Sequence, residues 1–443
     1  MTHRFRMAVL ALAVALALAD SSIVTLALPR ILGRFDVGIT TVAWVLTSFN
    51  LVLALVAVPC TYIGRRRPDA VFACGAILFA GASLACGLAP AFAVLLASRC
   101  VQAIGAALLV VTALELLAEA AGNEARAAHI WVGAGVVGAA VGPALGGILT
   151  QALGWRSIFL AQVPIAFGLL TAMRPRASSP TRAKAGRPRA TTNLALLLLS
   201  GGLVAALFLL VLLLVTGWLM SPAAAGVVVS TLPLAAVAAA RLTPSSVGVA
   251  MRVVSGVVLV GGGLGALALL PHAGWAWTLA PQVLIGVGVG FAFAALTEQA
   301  LAGRGDQVVH GGWTLAARHA GVVVGLLLLA PLLTAALTKN KQEAIRAGAS
   351  EVLDSRIPPL DKLRVAQDVL DEVDAAKKEG RLPNVDKAFA DRPSTGEYRS
   401  LARALKNELD RAVTNAFSTP FALAAALALL ALIPLAVSRW ERV

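Results

Sequence analysis

Charge is scarce in this 443-residue chain. Asp, Glu, Lys and Arg together make up 14% of it, against about 25% in a soluble domain. That shortage excludes a disordered chain and argues against a soluble enzyme. Cysteine is scarce as well. Cys60, Cys74, Cys86 and Cys100 all lie in or beside apolar runs, and none has CxxC spacing. Neither a disulfide framework nor a metal site is expected. No Walker-type phosphate loop is present. Gly286-Val287-Gly288-Val289-Gly290 falls inside an apolar run, and Arg304-Gly305-Asp306 reads as a turn. ATP is therefore not the expected energy source, and no cofactor is called for. Acids are rarer than bases, 23 against 37, for a net charge of +14. In a chain this apolar, such a surplus is sorted by membrane side and does not call for nucleic acid.

What the chain has is hydrophobic length. Apolar residues make up 58% of it and the mean hydropathy is +0.83. A helical span needs roughly 20 apolar residues. Twelve such runs are read at 7–29, 41–60, 69–89, 91–117, 128–150, 157–173, 193–216, 223–240, 251–270, 277–299, 313–337 and 417–438. The runs are continuous and do not alternate, so helices are expected and not a barrel. The first run follows Arg4 and Arg6 but resumes after Asp20 and continues to Pro29. It reads as an uncleaved span and not as a signal peptide.

Loop charge orients these spans. With the N-terminus in the cytoplasm, seventeen Lys and Arg fall in cytoplasmic segments, whereas the short external loops hold only Arg30, Arg34 and Arg156. That is the positive-inside pattern, with both termini cytoplasmic. Residues 174–192 carry six Lys/Arg and no acid and read as a basic cytoplasmic linker able to touch anionic lipid. Residues 339–415 hold 15 basic and 14 acidic residues and read as a small helical extracytoplasmic domain. Leu363, Ala366, Leu370 and Val373 follow helical spacing there, as do Leu401, Leu405, Leu409 and Val413. The last helix is expected to run almost into span twelve, with an interruption near Pro420. The expected division is a six-helix bundle over 1–173, the linker 174–192, helices seven to eleven over 193–338, the external insert 339–415, and helix twelve with its tail over 416–443.

Four stretches of the first half carry a family signature. They are Asp20-Ser21-Ser22-Ile23-Val24 running on to Ala27-Leu28-Pro29; Arg99-Cys100-Val101-Gln102-Ala103-Ile104-Gly105; Gly138-Ala139-Ala140-Val141-Gly142-Pro143-Ala144-Leu145-Gly146-Gly147; and Gly154-Trp155-Arg156 followed by Phe159 and Val163-Pro164. The third fits GxxxGPxxGG at every defined position. Together they resemble the drug/proton antiporter branch of the major facilitator superfamily. The second half is weaker, with Gly217-Trp218, Ser221-Pro222, Pro233 and Arg318-His319-Ala320-Gly321. One departure stands out. The family's loop after span two carries an acid and an arginine where this chain has Thr61 and Tyr62. Only Gly64, Arg65 and Arg66 keep the pattern, so the usual cytoplasmic latch is in question.

The resemblance implies twelve helices in two six-helix halves, an all-α membrane fold working by alternating access in the plasma (inner) membrane. Ionisable groups within spans are costly and are the default functional candidates. Asp20 and Arg99 lie at similar depth, roughly 12–15 Å from the outer ends of their helices at 1.5 Å per residue. They are expected to couple protons. Glu115, Glu298, Arg318 and His319 are secondary coupling candidates. Trp44, Phe49, Asn50 and Gln102 are candidates for the substrate cavity. Gly138, Gly142, Pro143, Gly146 and Gly147 are expected to form a conformational switch, since a face of small residues lets helices approach and slide. The expected activity is export of hydrophobic or cationic small molecules in exchange for protons. Two alternatives stay open: export of a lipid, glycolipid or envelope precursor using the external insert, or a transport-silent scaffold or receptor with an external protein partner bound through 339–415.

Overall fold

The computed structural model describes residues 3–65, 67–173, 186–242, 247–271, 273–301, 306–378, 385–390, 392 and 396–440. Arg66 and most of the basic linker lie outside these residues. In a bilayer the backbone must satisfy its own hydrogen bonds, and the described residues are overwhelmingly helical. The first half runs α1 (His3–Phe35), α2 (Ile39–Val42), α3 (Trp44–Gly64), α4 (Pro68–Leu88), α5 (Phe92–Ala121), α6 (Glu124–Leu153), α7 (Ser157–Leu160) and α8 (Gln162–Gly168). The second runs α9 (Ala190–Val211), α10 (Pro222–Val229), α11 (Thr231–Leu242), α12 (Val249–Ala268), α13 (Leu279–Leu301), α14 (Gln307–Asp354), α15 (Pro359–Lys378), α16 (Val385–Ala388), α17 (Gly396–Leu429) and α18 (Leu432–Trp440). Eleven of the helical segments are long and apolar enough to cross a membrane, and Ser157–Ala172 is a shorter apolar helix in the sixth place.

Proline explains where spans break. Pro164 and Pro233 each lack the N–H that would bond four residues back. The helix breaks after Leu160 in span six and after Val229 in span eight. Span twelve corrects the expectation about Pro420. The helix α17 passes through Pro420 and ends at Leu429, four to five residues before Pro434, whose ring clashes with the carbonyl of Leu430.

The glycine motif seats α6 on two different neighbours. A Cβ on Gly138 would lie 2.2 Å from the Ala15 carbonyl oxygen, one on Gly142 2.1 Å from Ser22 Oγ, and one on Gly146 2.5 Å from the Ile23 carbonyl oxygen. All three contacts are with α1, inside the first half. Gly147 faces the other way, where a Cβ would meet the Pro222 carbonyl oxygen at 2.3 Å. Gly226 of α10 is in turn pressed against the Pro143 carbonyl oxygen, 2.6 Å from an added Cβ. Thus the motif both fixes α1 and forms one seam between the halves. The packing of α3 against α14 forms the other.

The insert is joined to the bundle by continuous helix. The 48 residues of α14 span about 72 Å, more than twice the bilayer core. Returning toward the bundle, α17 likewise runs without a break into span twelve. Val352, Ile357, Val365, Val385, Tyr398, Leu401 and Leu405 form a separate small core. The inward face of α15 is offset from the expected one. Val365 is buried with Ala366 and Val369 against it, whereas Leu363 and Leu370 are exposed; the side chain of Val373 lies outside the described residues.

Gly138→Ala should lower the thermal unfolding temperature of the purified protein by several degrees, as overpacking against backbone costs about 1–3 kcal/mol. Gly133, on the same helix with nothing within 4 Å of an added Cβ, is the control. Gly133→Ala should leave the temperature unchanged or raise it slightly. Equal behaviour of the two variants would contradict the packing described.

Candidate functional site

Asp20 on α1 and Arg99 on α5 face each other inside the first half. Arg99 Nη1 donates to Asp20 Oδ2 at 2.5 Å, and neither side chain has any exposed surface. The carboxylate has further donors. Gln162 Nε2 donates to Oδ1 at 3.0 Å and Gln102 Nε2 at 3.4 Å. The guanidinium is equally held. Its Nε donates to the Val45 carbonyl oxygen at 3.1 Å and its Nη1 to Gln102 Oε1 at 2.7 Å, while its carbon lies 4.1 Å from the Phe49 ring centroid. Gln102 also donates to Ser83 Oγ at 2.8 Å and to Gln162 Oε1 at 3.0 Å. One polar net therefore ties α1, α4, α5 and α8. Charges sealed in low dielectric persist when paired and hydrogen-bonded; here Nε and Nη1 of Arg99 carry those bonds, and Nη2 has no hydrogen-bond partner among the described residues. Ser83 and Gln162 were missed by sequence reasoning. A polar residue in the middle of an otherwise apolar stretch of spans three and six was the available signal.

Between the halves lies a cavity of about 160 Å³. The α1 turn next to Asp20 lines it through Ser21, Ser22 and Thr25, and α14 lines it through Arg318 and His319. Asp20 and Arg99 themselves do not. They sit behind the wall, in the first-half bundle. Asn50 lines the cavity and accepts a 2.6 Å hydrogen bond at Oδ1 from His319 Nδ1, across the two halves. Asn50 Nδ2 donates to the Leu46 carbonyl oxygen, which fixes Oδ1 as the acceptor and puts the proton on Nδ1 of the imidazole. The other three proposed cavity residues lie elsewhere. Phe49 is buried under Arg99, Gln102 belongs to the polar net, and Trp44 is 39% exposed at the start of α3. Their periodic positions gave no way to see which helix face met the other half. Pro143 lines the cavity, while Gly138, Gly142 and Gly146 pack on α1.

At the end of the bundle that bears the termini, Arg65 pairs with Asp306 across the halves. Asp306 also caps α14, accepting from the backbone N–H groups of Val308 and Val309 at 3.1 and 3.4 Å. A carboxylate there answers the positive end of the helix dipole. Thr61 is fully buried, and a Cβ on Gly312 would come within 2.4 Å of its methyl group. Thr61 thus packs directly on Gly312, and the acid of the inter-half contact at this end is Asp306 of the second half. Gly64 packs on Thr112, with 2.9 Å from an added Cβ to Thr112 Cγ2. Asp69 pairs at 2.9 Å with the buried Arg6, which also reaches Glu119 at 3.3 Å. Glu298 lies 3.3 Å from His129 and 4.0 Å from Arg252, away from the cavity. Glu115 is buried near the same end of α5. Among the described residues no group of three His, Cys, Asp or Glu is placed to hold a metal ion.

The geometry can be set beside known proteins. Residues 1–173 contain most of the site. The drug efflux pump JefA of Mycobacterium tuberculosis is 39% identical over 173 residues, 37% of this chain and 34% of that protein. The multidrug resistance protein Stp of the same species is 40% identical over 153 residues, 33% of this chain and 28% of that protein. The methylenomycin A resistance protein of Bacillus subtilis is 33% identical over 171 residues, 38% of this chain and 37% of that protein. The matched stretch thus spans about a third of each relative. In structure, a bacterial homologue of the human lysosomal transporter Spinster, in an inward-facing and unoccupied conformation, superposes with a TM-score of 0.64 at 16% identity, covering 98% of this chain and 97% of that one. The family model described as Major Facilitator Superfamily matches residues 10–326, so this multi-pass membrane protein, with its two helical halves around a central cavity, belongs to the major facilitator superfamily.

Proposed function

We propose that the chain is a proton-coupled exporter of small, largely apolar molecules, working by alternating access in the plasma membrane, with protons moving the opposite way. The observation that carries this reading is the Asp20–Arg99 pair. It is sealed from the cavity yet sits on the same helix as the cavity-lining Ser21, Ser22 and Thr25. Protonation of Asp20 removes the charge that holds Arg99 and frees α1 to shift against α5. The glycine-seated contact between α1 and α6 then passes that shift to the seam at Gly147 and Gly226. Proton and cargo thereby bias one two-state element, which is what exchange requires. The drug efflux and resistance proteins that match about a third of this chain support small molecules as cargo. The work is transport driven by the proton gradient, not catalysis.

Loop charge supports a cytoplasmic terminal end and an extracytoplasmic insert. In that orientation Arg65–Asp306 closes the cytoplasmic side and opens when cargo enters. A second reading rests on the insert. Because α14 and α17 run unbroken from bundle to insert, a rocking half would carry the insert with it, as suits export of a lipid or envelope precursor or docking of an external protein.

In proteoliposomes with an imposed pH gradient, Asp20→Asn should lose gradient-driven dye flux by at least about tenfold. Breaking a buried pair from one side costs roughly 3–5 kcal/mol, so this variant should also be less stable. Asp20→Asn with Arg99→Gln should recover stability and still lack coupling. Full coupled flux in either variant would reject the assignment. Deleting 345–410 should spare dye flux; on the second reading it should impair lipid export, and loss of dye flux with lipid export intact would reject that reading. Asp306→Asn should speed labelling of a Ser200→Cys reporter by a membrane-impermeant maleimide from the cytoplasmic side, in a background without the native cysteines. An unchanged rate would remove the closing role from this pair.

A further inference from the structure

The cavity contains a charge that the proton cycle does not use. Arg318 lies in an apolar stretch of α14 and lines the cavity. Among the described residues it makes no ion pair, and its guanidinium carbon sits 5.2 Å from the centroid of the Phe293 ring. No Asp or Glu is among the residues that line the cavity. The acids nearest in sequence to lining residues are committed elsewhere. Asp20 is held by Arg99 and Gln162, and Glu298 by His129 and Arg252.

A guanidinium at membrane depth is costly, and a ring face offsets only part of that cost. Such residues are retained where they meet a counter-charge. Here none of the described residues supplies one. The surrounding hydroxyls are neutral and supply no counter-charge. Ser22, Thr25 and Thr297 each spend their hydrogen on a carbonyl of their own helix, and Ser21 and Ser200 add neutral donors to the lining. Arg318 is left as the charged donor in a cavity otherwise walled by residues such as Leu203, Val204 and Leu207. The guanidinium fork matches a carboxylate, sulfonate or phosphate. A cation entering this space would meet a like charge with no carboxylate to receive it.

We propose that Arg318 recognises the anionic head of an amphiphilic substrate whose apolar body lies against the leucine and valine wall. The cargo class is therefore lipophilic anions and not cations. This rests on the cavity being the transport site proposed above. The chemistry is shared by soluble lipophilic acids and by anionic lipids.

The test uses the full-length protein, 11-(dansylamino)undecanoate as the anion, and a quaternary ammonium bearing the same dansyl tail as the cation. Binding in detergent should favour the carboxylate by at least about tenfold. Arg318→Gln should abolish that preference, Arg318→Lys should keep most of it, and Arg318→Glu should reverse it. Arg318→Gln binding the carboxylate as wild type does, wild type preferring the ammonium, or neither probe binding would overturn the proposal. Flux in proteoliposomes separates this from the coupling account. Arg318-dependent carboxylate flux that ignores a pH gradient would keep the anion site and reject proton exchange. Gradient-driven ammonium flux untouched by Arg318→Gln would keep export and reject the anion site. A fluorescent phosphatidylglycerol in the same vesicles assigns the source. Its Arg318-dependent movement would support a lipid, and movement of the undecanoate alone would support a soluble acid.

Discussion

A carboxylate and a guanidinium that share no surface with solvent set the terms for the first half of this molecule. Neither charge is tolerable alone at that depth, so α1 and α5 are held in one register. Gln102 and Gln162 must be placed to complete the donors, and Phe49 must cover the guanidinium. Five residues on four helices answer one electrostatic demand. On the proposed reading the same demand makes the pair a switch point. A single proton would cancel the carboxylate charge and leave the guanidinium seeking a partner, and the helix that carries Asp20 also carries the hydroxyl wall of the cavity. The proposed coupling path is therefore one helix rather than a chain of remote contacts.

The two halves meet through different chemistry. At the middle, Asn50 and His319 share one hydrogen bond across the cavity edge. At the terminal end, Arg65 meets Asp306. Along α6 and α10 the contact is backbone against glycine, at Gly147 and Gly226. These contacts lie within a wider apolar packing of α3 on α14 and of α6 on α10. Each is a small discrete contact, of the sort that breaks and reforms when packed bodies rock. Moving the acid from position 61 to the cap of α14 keeps the inter-half ion pair while Thr61 and Gly312 pack closely. Charge is thus distributed by role: paired and sealed in the first half, paired at the closing end, and without an ion pair among the described residues at Arg318 in the cavity.

Much of this was legible in the sequence because the membrane imposes length. Uninterrupted apolar runs place the spans, and the motifs around Asp20, Arg99 and Gly142 place the first half in its family. The depth argument put Asp20 and Arg99 level, and they meet. What periodicity does not encode is helix rotation about its own axis. Asp20 and Ser21 are adjacent in sequence yet face the bundle and the cavity respectively. Trp44, Phe49 and Gln102 were assigned to the cavity on position alone, and they face elsewhere. Asp306 had a local signal, an acid before an apolar run, but its partner Arg65 is 241 residues away. The break in span twelve followed Pro434 and not Pro420, since a proline late in a long, well-packed helix is tolerated when neighbours hold it.

The central claim is that Asp20 gains and loses a proton inside the polar net. Infrared difference spectroscopy of the purified protein, between alkaline and acid buffer, reads that event directly. The account predicts a protonated carboxyl stretch that grows on acidification in wild type and is missing in Asp20→Asn. A carboxyl band of equal size in both proteins would place the titrating acid elsewhere and contradict it.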